Sequence, residues 1–449
     1  MEPSDGLPQA QRRWAMLAIG LAIVMAVLDG TIANVALPTI ARDLNATPAD
    51  SVWVVNAFQL VITVLLLPLA SLGEIVGYRR IYRIGLAVFT LSSLACALSD
   101  SLLALTLARV AQGVGAAGIM SVNAALVRFI YPRDKLGRGI GIIAMVVAVS
   151  AAVGPTVAAA ILSVATWPWL FAVNVPIGLA TIVAGRGLPR TPRAARGFDY
   201  LSAVLNALFF GLLIVAIDSV GHGERAAVVA LAFLGAGLAG VALVLRQLPQ
   251  ASPLLPVDLL RIPMFALSIG TSVCSFTAQM LAYVSIPFYF QDVLGRDAVA
   301  TGLLITPWPV AAAVMAPIAG RLADRHPAGL LGALGLAAFA AGLALLALLP
   351  ASPTDLDIVW RMALAGAGFG LFQSPNNRAI ITSAPAARSG GASGMLGTAR
   401  LLGQTSGAAL VALMFGLAGG HATWWALGSA AGISLLAAAV SATRLYSPR

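Results

Sequence analysis

Residues 14–36 read WAMLAIGLAIVMAVLDGTIANVA, and a single charged residue, Asp29, stands in that run. A bilayer core of about 30 Å is crossed by roughly 20 apolar residues in helical conformation. The run is long enough. Arg12 and Arg13 precede it as they would a secretory leader, but it is longer than a leader's apolar stretch and carries no small-residue cleavage site. It reads as a retained first membrane helix. Working outward, comparable runs fall at approximately 51–72, 80–99, 102–125, 138–162, 168–187, 200–217, 226–245, 265–290, 299–320, 328–349, 358–381, 391–416 and 422–442. With the first, they predict an all-α polytopic membrane protein of fourteen transmembrane helices.

The composition agrees. The 449 residues are 59% hydrophobic and 10% charged, whereas a soluble domain carries about 25% charged residues. Lipid must solvate most of this apolar surface. The net charge of +10 is not a nucleic-acid footprint, because the basic residues lie in short loops. Placing the N-terminus in the cytoplasm puts 21 of the 27 basic residues on that side. Four (Arg42, Arg225, Arg296 and Arg361) fall opposite, and Arg109 and Arg400 fall inside predicted helices. Cytoplasmic loops carry the excess of Lys and Arg. The asymmetry predicts cytoplasmic termini and an even number of spans.

Catalytic and cofactor chemistry finds no foothold. Cys96 and Cys274 sit in apolar runs, so neither a disulfide framework nor a thiolate metal site is expected. His222, His326 and His421 fall in separate loops, without H-E-x-x-H spacing, and no Walker lysine motif occurs. A weak repeat is present instead. LGEIVGYRR, residues 72–80, and GRLADRHPAG, residues 320–329, each follow the second helix of a six-helix block. Aligned on Leu72 and Leu322, Glu74 matches Asp324. The division expected is 1–187, an inserted helix pair at 188–250, and 251–449. Paired six-helix halves around a mid-membrane site are a known transporter plan.

Charges inside the membrane cost at least about 2.5–3.5 kcal/mol on insertion scales and mark function. Asp29 and Arg109 each stand seven residues from the outer end of a predicted helix, about 10 Å deep. They can pair if those helices face each other. Two readings stay open: a static ion pair that fixes packing, or a proton-linked switch. An apolar setting raises a carboxylate's pKa and a nearby arginine lowers it, so movement of the arginine would load or release a proton. Gln112, three residues after Arg109, shares its face and can orient it.

Arg400 lies deep in the thirteenth helix with no acid placed to pair with it. Its stem can snorkel toward the cytoplasm, or its head can contact substrate or helix carbonyls. Asn34, Asn56, Gln59, Gln279, Gln373, Asn376 and Gln404 are candidates for lining a cavity or for interhelical hydrogen bonds. Gly73, Glu74, Gly77, Arg79 and Arg80 crowd into one short loop. Read from its residues, that loop is a solvated positive-inside signal, and Gly77 permits its turn. Ser150, Gly154 and Ala158 are small residues at spacing four that let helices approach, and Pro155 can bend the helix.

The string LDGTIANVALP at 28–38 resembles the first-helix signature of the fourteen-helix drug/proton antiporter branch of the major facilitator superfamily. LASLGEIVGYRR at 69–80, RVAQGVGAAG at 109–118, GPTVAA at 154–159 and WPWLFAVNVPIG at 167–178 continue the resemblance. FDYLSAVLNALFFG at 198–211 is similar to the start of the inserted pair, and IPFYFQDVLG at 286–295 and ARLLGQTSG at 399–407 to the second half. The resemblance implies a major facilitator fold, with two six-helix halves plus two inserted helices. It implies a secondary active transporter of the cytoplasmic membrane that exports small amphiphilic or drug-like molecules in exchange for protons. An importer or facilitator of a small metabolite is the alternative on the same fold. The implied roles are proton coupling at Asp29 and Arg109, a cytoplasmic gate at Gly73, Glu74, Gly77, Arg79, Arg80 and Asp324, and an antiporter motif at Gly154 and Pro155. Asn34, Gln59, Gln279, Gln373 and Arg400 are the cavity candidates. The expected partners are a small-molecule substrate, protons, the lipid bilayer and, where the host has an outer membrane, a periplasmic adaptor. No nucleic acid and no cofactor are expected.

Overall fold

A computed structural model describes residues 6–132, 135–189, 191, 193–194, 197–221, 223–250, 255–385 and 388–445. Arg133, Arg190, Arg196, His222 and Arg449, which enter the topology reading, lie outside the described residues. Helices fill the chain, and no strand occurs among the described residues. In order they are α1 (Gln9–Asp43), α2 (Pro48–Ser51), α3 (Trp53–Val76), α4 (Tyr78–Ala97), α5 (Leu102–Ile130), α6 (Leu136–Leu162), α7 (Pro168–Ala172), α8 (Asn174–Ala184) and α9 (Tyr200–Gly221). Then follow α10 (Ala226–Gln247), α11 (Pro263–Phe288), α12 (Ala298–Ile305), α13 (Pro307–Leu322), α14 (Ala328–Ala347), α15 (Asp355–Ser383), α16 (Ser389–Ala418) and α17 (Ala422–Thr443). Local chemistry sets several starts. The Ser101 hydroxyl accepts from the Ala104 N–H at 3.3 Å at the head of α5, and Thr354 and Asp357 form a capping box on α15. Each satisfies backbone donors that a helix start leaves open.

Twelve helical stretches among the described residues are long and apolar enough to cross a membrane. The expected count was fourteen. The difference has two sources. One stretch, Gly391–Thr443, runs to 53 residues and contains both α16 and α17, parted by a turn at Gly419 with φ +50°. The 29-residue α15 falls outside the apolar set because it carries Asp355, Asp357, Arg361, Gln373, Asn376, Asn377 and Arg378. The first helix is also longer than expected, ending at Asp43 rather than near residue 36, with Pro38 inside it. Proline removes one helical hydrogen bond. Leu37, Ile40 and Ala41 are buried, and their packing carries the helix through. Asp29 is thus 14 residues from that end, about 21 Å at 1.5 Å per residue, not the 10 Å first expected.

The chain forms two compact units, residues 1–33 with 53–207, and residues 34–52 with 208–449. Glycines hold each unit together. In the first, a Cβ added at Gly85 of α4 would lie 2.9 Å from the Gly115 carbonyl oxygen on α5, and one at Gly113 would lie 2.9 Å from the Phe58 carbonyl oxygen on α3. The second unit repeats both contacts. A Cβ added at Gly335 of α14 would lie 2.8 Å from the Gly368 carbonyl oxygen of α15, and one at Gly366 of α15 would strike the Trp308 backbone of α13. Lipid supplies no hydrophobic drive between helices, so close backbone packing over small residues holds them instead. The outward faces are apolar: Leu91, Leu103, Leu107, Leu231 and Leu238 are all at least 60% exposed.

Candidate functional site

Asp29 on α1 and Arg109 on α5 are both fully buried and paired, Arg109 Nη1 donating to Asp29 Oδ2. Gln112, one turn from Arg109, joins the pair. Its Nε2 donates to Asp29 Oδ1 at 2.8 Å, and its Oε1 accepts from Arg109 Nη1 at 2.6 Å. Asn174 at the start of α8 donates from Nδ2 to Asp29 Oδ1 at 3.0 Å. The Gln112 amide also donates to Ser93 Oγ of α4 at 2.9 Å. Three helices besides α1 therefore meet in this network: α4, α5 and α8.

Arg109 is held by more than its counter-ion. Its Nε donates to the Val54 carbonyl oxygen at 2.8 Å. Its guanidinium carbon stands 4.0 Å from the Phe58 ring centre and 5.5 Å from that of Phe171, within cation–π range. These partners do not titrate. A proton placed on Asp29 would weaken the ion pair but leave Arg109 with a carbonyl, an amide oxygen and two ring faces. A buried charge stripped of its only partner costs about 3–5 kcal/mol; here the arginine keeps four contacts.

Gly154 and Pro155 lie against the same helix. A Cβ added at Gly154 of α6 would strike the Thr31 hydroxyl of α1, two residues from Asp29. Thr31 Oγ1 donates back to the Leu28 carbonyl at 2.9 Å. Pro155 stands inside α6. Only glycine at position 154 lets the two helices approach this closely beside the carboxylate.

The short loop between α3 and α4 is braced within its own unit. Gly77 has φ +102°, a conformation only glycine adopts readily. The chain that returns after α8 straps it: Ala194 N–H donates to the Glu74 carbonyl at 2.7 Å, and the Tyr78 N–H donates to Thr191 Oγ1 at 3.0 Å. Arg79 Nη2 donates to the Arg186 carbonyl at 2.9 Å. Gly73 is buried with room for no side chain, since a Cβ there would stand 2.9 Å from the Tyr78 ring. Arg80 is exposed. Asp324 pairs with Arg378 on the surface of the second unit, a contact class worth about 0–1 kcal/mol.

The cavity candidates separate. Asn34 and Gln59 are buried, and Gln279, Gln373 and Arg400 half-buried. The Arg400 Nε is enclosed with no hydrogen-bond partner among the described residues, as are both amide atoms of Asn56. Asn376 is instead an interhelical linker: its Nδ2 donates to Ser272 Oγ at 2.8 Å, and its Oδ1 accepts from Arg444 at 2.6 Å. Arg444, one of the basic residues assigned to the cytoplasmic side, is buried at the C-terminal end of α17. It is 3% exposed, and it also donates to Ser268 Oγ at 2.9 Å and to Ser441 Oγ. Neutral oxygens from three helices replace water there. Asn174, Ser93, Phe58 and Phe171 were not singled out in the sequence. The signal for Asn174 was a lone amide inside an apolar helix, in the string WPWLFAVNVPIG.

The Major Facilitator Superfamily model matches residues 19–408 and 267–449. The chain is 61% identical over 451 residues to the "Uncharacterized transporter YebQ" of Escherichia coli (strain K12), covering 99% of this chain and 98% of that one. It is 31% identical to the "Riboflavin transporter RibZ" of Clostridioides difficile (strain 630), over 90% of this chain and 89% of that one. It is 32% identical to the "Multidrug resistance protein Stp" of Mycobacterium tuberculosis, over 88% of this chain and 74% of that one. A solved bacterial homolog of the human lysosomal transporter Spinster, inward-facing and unoccupied, superposes with TM-score 0.70 at 17% identity, covering 99% of this chain and all of that one. The chain belongs to the Major Facilitator Superfamily, and the buried Asp29–Arg109 pair sits inside a membrane transporter.

Proposed function

We propose that this transporter exports small amphiphilic molecules across the cytoplasmic membrane in exchange for protons, with Asp29 as the carboxylate that takes up and releases the proton. The observation that carries the reading is the buried Asp29–Arg109 pair, with its arginine kept in place by non-titrating partners. Exchange of substrate for a proton requires a group that is ionised in one state and neutral in the other. Arginine stays protonated and cannot be that group, which leaves its buried partner, Asp29. Likeness to the multidrug resistance protein Stp supports a drug-like substrate. The riboflavin transporter RibZ favours a second reading, movement of a small metabolite on the same fold. Reconstitution into liposomes under an imposed pH gradient decides between them. Outward-directed uphill transport of lipophilic cations, neutral antibiotics or acidic uncouplers, with a matching proton flux, supports export. Riboflavin movement with no proton flux refutes it.

The reading includes fourteen crossings, counting α15 and splitting α16 from α17, with both termini cytoplasmic and the inserted pair at 188–250. Single cysteines introduced next to residue 222 and at the C-terminus should be labelled from outside and from inside, respectively. A C-terminus reached from outside would mean an odd number of crossings.

The loop at Gly73–Arg80 acts in this scheme as a cytoplasmic latch, with Asp324 as its counterpart in the second half. Glu74→Gln should slow transport by no more than about fivefold, the range of a surface charge contact worth about 0–1 kcal/mol, and should leave membrane insertion intact. An unchanged rate under several proton gradients would reduce the loop to a topology signal.

A further inference from the structure

A cavity of about 1010 Å³ opens beside the α3–α4 loop of the first unit. Its polar end is made by Arg79, Arg80, Arg83 and Arg193, and its apolar wall includes Ile84 and Ile182. Arg79, Arg80 and Arg83 come from the first two turns of α4, and Arg193 from the strap after α8. Arg79 is fixed by the Arg186 carbonyl, and the strap by the Thr191 and Ala194 hydrogen bonds. Among the described residues no carboxylate pairs with Arg80, Arg83 or Arg193. Like charges drawn together on a braced frame repel one another unless an anion sits among them. The start of a 20-residue helix adds the positive end of its dipole.

The surroundings select the anion. Beyond the arginines, α4 presents Ile84, Leu91, Leu94 and Leu98, which are 54%, 69%, 42% and 74% exposed. Their spacing keeps them on one side of the helix. From Ile84 to Leu98 is 14 residues, about 21 Å at 1.5 Å per residue, more than the half-thickness of a bilayer core of about 30 Å. Leu179 and Val183 of α8, 57% and 58% exposed, widen the strip. A polar end rich in guanidinium groups, continuous with an apolar track as deep as one leaflet, matches an amphiphile with a phosphate head. Guanidinium forks fit phosphate oxygens bidentately, and basic pockets at the cytoplasmic ends of membrane helices suit anionic headgroups.

We propose that the cavity bounded by Arg79, Arg80, Arg83 and Arg193 binds the phosphate of an anionic phospholipid whose acyl chain lies along the Ile84–Leu98 face of α4. This site is separate from Asp29 and stands whether or not the proton-coupling reading holds. The test is lipid binding to the full-length protein in detergent, read by native mass spectrometry, with phosphatidylglycerol, phosphatidylcholine and inorganic phosphate as probes. Phosphatidylglycerol should bind at least about tenfold more tightly than phosphatidylcholine, because basic clusters at the cytoplasmic ends of membrane helices favour anionic headgroups. The Arg83→Gln/Arg193→Gln double variant should lose that preference, and Arg83→Lys/Arg193→Lys should keep most of it. Thermal unfolding without added lipid checks that the variants are folded. If inorganic phosphate binds alone and displaces phosphatidylglycerol completely, the site belongs to the free anion and the lipid assignment falls. Equal binding of the two lipids, or unchanged preference in the glutamine variant, overturns the proposal.

Discussion

Asp29→Asn should abolish gradient-driven export while substrate binding stays measurable. The amide is nearly isosteric with the protonated carboxyl, and it cannot gain or lose a proton in the working range. Its oxygen can still accept from Gln112 and Asn174, which stand 2.8 and 3.0 Å from Asp29 Oδ1. Arg109 loses its counter-ion but keeps the Val54 carbonyl, the Gln112 oxygen and the Phe58 face. The variant should therefore fold and insert. In liposomes, substrate-induced proton movement should drop at least about tenfold, equivalent to about 1.4 kcal/mol of lost coupling, and transport should cease to respond to the gradient. Arg109→Lys should fail as well. A point charge has no planar fork, and the Nε donor to Val54 disappears. Proton flux at the wild-type level in Asp29→Asn would move the coupling site elsewhere, with Asp292 the next carboxylate to test. Its side chain is 42% exposed, and it faces Arg42 at 3.7 Å.

The second large effect is structural. Gly115→Leu should prevent the first unit from assembling. Even a Cβ at this position would lie 2.7 Å from both the Gly85 carbonyl oxygen and the Phe89 Cα. Those atoms are backbone of α4 and cannot rotate aside. Overpacking a core with flexible neighbours costs about 1–3 kcal/mol; here whole helices would have to separate. Gly237→Leu on α10 is the matched control, because nothing stands within 4 Å of the added Cβ. Monodisperse protein after detergent extraction should be lost for the first and retained for the second. Equal recovery of both would show that α4 and α5 can part without penalty.

The spans were legible because lipid forces a length and a composition on each of them. The pair was legible because charge inside a membrane is rare enough to be read one residue at a time. Asp29, Arg109 and Gln112 came from that rule and from helical spacing. Asn174 and Ser93 did not, since neutral polar residues in membrane helices are common and a sequence does not say which face meets which. The fate of Arg444 was hidden for the same reason. Four residues from α11, α15 and α17, two hundred positions apart at most, had to converge before a charge near a chain end could be buried. The end of α1 at Asp43 was not legible from the apolar run, because the packing of Leu37, Ile40 and Ala41 carries the helix past it.

The paired glycine crossings, Gly85 with Gly115 in one unit and Gly335 with Gly368 in the other, bear on how this chain can evolve. Every coding change at a glycine codon adds at least one carbon to the residue. At these four positions that carbon falls on main chain, so no neighbouring substitution can make room for it. Selection by a new toxic compound must then act elsewhere. Variants of altered specificity raised in the laboratory should map to side chains facing open space, and the crossings should stay unchanged in all of them.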